Sequence, residues 1–203
     1  MYGSIKYWIE AEIQRPLFTM NNKIKTKLNV DVPLVCNDLM LPLKLSAQKS
    51  DFLFDNNGSI RMDAKIDRRA YYPGEFVVFH CNVINQSSTR VIPRVTLRQT
   101  QTYLMRKKNK TKIRQNTHYE IKCQRMEGLP TEAGSSSTQT FQVPIPIGIA
   151  ISVNSPILEV SYDLHLTVDI PSAIDLHLDL PIMITTKNVV NQYKPYNSEY
   201  KMT

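Results

Sequence analysis

An alternation of apolar and polar residues at period two runs through most of this chain and decides what it can fold into. Ile5, Tyr7, Ile9, Ala11 and Ile13 alternate with Lys6, Trp8, Glu10 and Glu12. Strand geometry puts the two sets on opposite faces, so one set can be buried. Ile60, Met62, Ala64 and Ile66 repeat the pattern against Arg61, Asp63, Lys65 and Asp67. Val77, Phe79, Cys81 and Val83 form the next inward set, and a long strand is expected from about Val91 to Leu104. The last two strands are the clearest. Leu158, Val160, Tyr162, Leu164, Leu166, Val168 and Ile170 face one way, then Ile174, Leu176, Leu178, Leu180, Ile182 and Ile184 after Pro171-Ser172. No segment holds a helical period for three turns. Turn residues punctuate the strands: Asn56-Asn57-Gly58, Ser87-Ser88-Thr89, and Tyr72-Pro73-Gly74-Glu75, whose Pro and Gly suit a type II turn. The fold class is therefore all-β, an antiparallel sandwich.

The breaks suggest an organisation. Residues 1–16 read as a single strand with no partner in sequence, 17–48 as an extended linker with short strand pieces, 49–186 as the compact domain and 187–203 as a polar tail. Gly134-Ser135-Ser136-Ser137 reads as a flexible loop inside the domain. At 42% hydrophobic a core can form. No apolar run approaches the roughly 18 to 20 residues that span a bilayer, and the start of the chain has no signal-peptide pattern. Cys36, Cys81 and Cys123 are odd in number and widely spaced, which fits reduced thiols better than a disulfide framework or a zinc knuckle. Asn57-Gly-Ser, Asn85-Gln-Ser and Asn109-Lys-Thr match the glycosylation pattern but read as turn residues.

Charge is segregated along the chain. Between Arg98 and Arg125 nine basic residues face the single acid Glu120, whereas Met126 to Thr186 carries seven acids and no Lys or Arg. The net +7 thus describes a polar-ended protein rather than a uniformly basic one, and nucleic acid is not expected as a partner.

Several segments resemble the alpha-arrestin family. Gly3-Ser-Ile-Lys-Tyr-Trp-Ile-Glu-Ala-Glu-Ile-Gln-Arg-Pro16 is similar to the strand that closes the family's N-terminal domain. Asn57-Gly-Ser-Ile-Arg-Met-Asp-Ala-Lys-Ile-Asp-Arg68 with Tyr72-Pro-Gly-Glu75 resembles the start of its C-terminal domain. Leu158 to Val168 and Leu178 to Ile184 resemble that domain's last strand pair. The resemblance implies an immunoglobulin-like sandwich of the arrestin C-terminal type, with 1–16 the last strand of an N-terminal domain. It also implies a cytoplasmic adaptor, peripheral at the plasma membrane or endosomes, that binds membrane-protein cargo for endocytosis or sorting. The alternative is an interaction fragment that pairs with other arrestin-like proteins without recruiting a ubiquitin ligase. Lys194-Pro195-Tyr196 lacks the P-P-x-Y pattern, so direct docking of a WW-domain ligase is not expected.

Three constellations bear on chemistry. Arg106, Lys107, Lys108, Lys110, Lys112 and Arg114 crowd into an expected hairpin tip. They could hold anionic lipid headgroups or phosphorylated tails, each cation near an anionic membrane contributing about 1 kcal/mol; otherwise they form a solvated turn. If the final hairpin turns about Pro171, His165 faces His177 and Asp163 faces Asp179. That set could hold zinc or form a solvated polar face, and no cofactor is otherwise expected. Ser135-Ser136-Ser137-Thr138 offers hydroxyls for phosphorylation. No nucleophile–base–orienter set is present, and His80 and Cys81, adjacent on one strand, must face opposite ways. An enzyme is not expected.

Overall fold

The structure is a computed structural model, and it describes residues 6–16, 20–30, 37–50, 58–106 and 113–192. The chain divides into two compact units, Met1–Leu34 and Val35–Thr203.

In the first unit β1 (Tyr7–Ile13) pairs antiparallel with β2 (Asn22–Leu28). This corrects the expectation that the first strand lacks a partner in sequence. The reason is visible in the register. Glu10 faces Lys25 and Glu12 faces Lys23, with ion pairs of 3.8 and 3.3 Å, and Lys25 lies over the Trp8 ring at 4.3 Å. Tyr7 opposite Leu28 and Ala11 opposite Ile24 share the other face. Opposite charges directly across a strand pair add a few tenths to 1 kcal/mol each, and they fix which face is which.

The second unit opens with a 3-10 turn, Asn37–Met40. It continues through β3 (Leu43–Ser50), β4 (Ser59–Ile66), β5 (Ala70–Tyr71), β6 (Phe76–Asn85), β7 (Ile92–Arg106) and β8 (Ile113–Ile121). Then come β9 (Met126–Glu127), β10 (Ser135–Pro144), β11 (Val153–Asn154), β12 (Leu158–Asp169), β13 (Leu176–Ile184) and the short helix α1 (Lys187–Gln192). The smaller sheet runs β10-β6-β4-β3. The larger runs β5-β13-β12-β7-β8, with β11 on β12 and β9 on β7. The pairing is antiparallel apart from the two-residue contact of β13 with β5. The segment expected as a linker with short strand pieces thus holds β2 and the greater part of β3.

Between the sheets lies one core. Ile60, Met62 and Ile66 from β4, Val77, Phe79 and Val83 from β6, and Leu164, Leu166 and Leu180 from β12 and β13 are essentially inaccessible. Phe79 stacks on Phe141 at 5.2 Å. Each large apolar side chain so buried is worth about 1.5–3 kcal/mol. Ile174, expected inward, lies in the β12–β13 turn and is 77% exposed. The expected type II turn is present: Gly74 has φ 87° and Glu75 N donates to Tyr72 O. Ser135, Ser136 and Ser137, expected in a flexible loop, open β10 instead, paired with Asn85, Ile84 and Val83. Local polarity misled there, because the partner strand rather than the serines selects the conformation. Asn85 is fully buried, and its side-chain nitrogen donates to the carbonyls of Thr89, Thr131 and Glu132. It closes a turn, as expected, with no room for a glycan.

Candidate functional site

Inward residues Val95 and Leu97 force Arg94, Thr96 and Arg98 of β7 onto the outer face of the larger sheet. The same alternation turns Asp163, His165, Thr167 and Asp169 of β12 outward, and β7 pairs with β12 so that Arg98 faces Asp163 and Thr96 faces His165. The basic and acidic stretches of the sequence therefore meet. Arg98 Nε donates to Asp163 at 3.0 Å and its Nη2 to Asp179 at 2.8 Å. Arg125 bonds Asp169 at 3.1 Å, and Arg94 pairs with the same carboxylate. Burial opposes charge on Arg98, yet the hydrogen bonds it donates to Asp163 and Asp179 outweigh it and raise its pKa. Burial would also raise Asp179, but hydrogen bonds from His165 and Arg98 hold it below its ordinary value. For the more enclosed Asp163, burial wins and pushes the carboxyl up.

The four residues singled out for metal binding are brought to one region in a different pairing. His165 faces Asp179 and Asp163 faces Pro181, while His177 faces Thr167. The turn centres on Ser172 rather than Pro171, because Ser172 takes φ 62° and Ala173 N closes on Ile170 O. Moving the centre by one residue displaces every cross-strand partner by two. Donor atoms of Asp163, His165 and Asp179 lie within 4.8 Å of one another. Arg98, however, donates to both carboxylates, so the cation neutralising them belongs to the protein. His165 Nδ1 lies 2.6 Å from Asp179, His177 Nδ1 lies 3.3 Å from Thr167 Oγ1, and the two rings stack at 5.2 Å. Both rings line an open cleft of about 340 Å³ together with Arg94, Arg125 and Asp175.

Of the basic cluster, Arg106 pairs with Ile113 at the end of β7, and Arg114 pairs with Met105 on β8. Lys107, Lys108, Lys110 and Lys112 lie outside the described residues, in the connection between these strands. Lys194-Pro195-Tyr196 and Cys36 also lie outside them. His80 is exposed, its Nδ1 2.9 Å from Thr140 Oγ1, while Cys81 is buried and its thiol is pushed up to about 12 by desolvation. No helix among the described residues is long and apolar enough to cross a membrane.

Sequence reasoning missed Arg94, Arg98 and Arg125 as organisers of the outer face. The signal was available: Arg94 and Arg98 sit at the polar positions of an alternating strand, as Asp163 and Asp169 do on another.

Residues 56–189 match the family described as arrestin (or S-antigen), C-terminal domain. The chain is 32% identical over 191 residues to human arrestin domain-containing protein 4, covering 91% of this chain and 43% of that protein. It is 30% identical to the mouse protein of the same name, covering 91% of this chain and 44% of that protein. Human thioredoxin-interacting protein is 26% identical over 195 residues, covering 92% of this chain and 47% of that protein. The chain thus spans less than half the length of these relatives.

Proposed function

Because this chain belongs to the arrestin family, in its alpha-arrestin branch, we propose that it is a non-enzymatic adaptor that binds membrane-protein cargo for endocytosis or sorting. The match of residues 56–189 to the arrestin C-terminal domain carries this reading. A basic connection between β7 and β8 supports it, because Arg106 to Arg114 hold six cations and no acid. Such a cluster suits anionic headgroups or phosphorylated tails beside the cargo.

The test has two parts. Affinity capture from cells by the full chain should enrich membrane proteins; capture of arrestin-like proteins alone would replace the reading with that of a pairing fragment. Binding to anionic vesicles should weaken steeply as salt rises, the Debye length being about 8 Å at physiological ionic strength. Neutralising Lys107, Lys108, Lys110 and Lys112 together should remove most of that binding. Undiminished binding by this variant would reduce the cluster to a solvated turn.

A further inference from the structure

We propose that the outer face of the smaller sheet binds the phosphate group of a monoester, held by Lys44 and Lys65 with His80 and Asn82 as further donors. Burial of Met62, Ala64, Phe79 and Cys81 turns Asp63, Lys65, His80 and Asn82 outward. Register then lays Lys44, Lys65, His80 and Thr140 in one row across β3, β4, β6 and β10. Ser46, Asp63, Asn82 and Thr138 form the next row. Lys44 stands directly opposite Lys65, an arrangement that costs stability. It is the one cross-strand pair of like charges among the described residues, where Glu10 with Lys25 and Arg98 with Asp163 show the usual choice. A lysine that merely guards the open edge of β3 could stand in the place of Ser46, opposite Asp63.

The two ammoniums are not neutralised from within. Lys44 forms no ion pair among the described residues, and Lys65 reaches only Asp67, at 3.8 Å, whose side chain is 74% exposed. Asp63 is engaged elsewhere: a hydrogen bond from Ser46 outweighs burial and, with one from Arg61 at 3.0 Å, holds its carboxyl below the ordinary range. Lys44, Lys65, His80 and Asn82 line one open cleft of about 190 Å³ with Asp63 and Thr138. Sites for whole small molecules run to roughly 300–1,000 Å³, so this one suits a single headgroup. Thr138 donates to Asn82 Oδ1 at 3.1 Å, which leaves the amide nitrogen to donate. Thr140 can donate to His80 Nδ1 at 2.9 Å, which leaves the ring proton on Nε2. These donors exceed the two oxygens of a carboxylate and match the three free oxygens of a monoester, whose charge of about −1.5 to −2 at pH 7 offsets both lysines. The site lies on a different sheet from the β7–β8 cations and does not depend on the adaptor reading.

Inorganic phosphate titrated into the full chain at low ionic strength tests this, read by NMR and thermal melting. Saturable shifts are expected at His80, Asn82 and Thr138, with a rise in melting temperature. Acetate at equal ionic strength should produce neither. Lys44→Gln and Lys65→Gln should each weaken binding at least about fivefold. Asn82→Asp, which aims a carboxylate at the anion, should abolish it. Lys44→Gln should also raise the phosphate-free melting temperature by about 1–3 °C, because it removes the opposed charges. Lys27→Gln, in the first unit, should change nothing. O-Phosphoserine and glycerol 3-phosphate distinguish the source: tighter binding of the first assigns the site to phosphorylated chains, of the second to lipid headgroups. Shifts in the parent chain decide the matter if a variant fails to fold. No saturable shift, an equal response to acetate, or undiminished binding by both lysine variants would overturn the proposal.

Discussion

Arg98 reaches two carboxylates from one guanidinium and lies 5.8 Å over the Tyr119 ring. A lysine could not reproduce this, since its ammonium lacks the planar fork that serves Asp163 and Asp179 at once. The pairing has a pH signature. Asp179 is held below its ordinary pKa, so its contribution is fully present above about 3.9 and is lost as pH falls through the depressed value. Its side chain is 51% exposed, which screens the interaction to at most about 1 kcal/mol. Asp179→Asn should therefore lower the melting temperature at neutral pH by no more than about 2–4 °C. The two melting curves should begin to converge as pH falls below about 4 and meet once pH has passed below the depressed value, where the parent carboxylate is protonated. A gap that stays constant down to acid pH would show that lost packing, not lost charge, explains the effect.

At the scale of elements, the β12–β13 hairpin depends on one serine in a conformation suited to glycine. Ser172 occupies the third position of a type II turn at φ 62°, where an L side chain costs about 1–2 kcal/mol. Part of any gain from glycine is lost to the freer unfolded chain. Ser172→Gly should thus stabilise by about 0.5–1 kcal/mol while keeping His165 opposite Asp179. Thermal melting measures the first, and a cross-strand nuclear Overhauser effect the second. A drop in stability would mean that the turn is held by something other than backbone preference.

The same turn shows what was legible in the sequence. Gly74 announced its positive φ by being glycine; Ser172 did not, and the expected pairing slipped by two residues. The inward sets on β4, β6 and β12 were plain because alternation encodes a sheet face directly. The serines of β10 carry no apolar signal strong enough to declare a strand and read as a loop, while the lysine-rich β2 reads only as a short strand piece within a linker. Composition exposed the basic cluster. The Arg98 network was hidden because its partners lie 65 and 81 residues away, at distances only register can bridge.

Across the whole molecule, segregated charge has become complementary neighbours: β7 brings Arg94 and Arg98 against the carboxylates of β12. A strand order so labelled penalises wrong pairings, since setting β12 against a second acidic strand or β7 against a second basic one would oppose like charges. One long border strand of the sandwich carries no such label, the other uncharged border, β5, being only two residues. β10 ends the smaller sheet, and Ser135–Pro144 contains no charged residue, whereas the border strands β3 and β8 carry Lys44, Lys49, Arg114 and Glu120. Among the described residues no strand pairs with its outer side. An unguarded strand of this kind is a template for any extended chain that meets it. The consequence falls on handling rather than on function: purity and lifetime in solution should depend on concentration through this one border. Lysines in place of exposed Ser136 and Gln142 should slow the rise of light scattering in concentrated samples without changing the melting temperature. An unchanged scattering rate would place the sticky surface elsewhere, and the protein's tolerance of crowding would then owe nothing to β10.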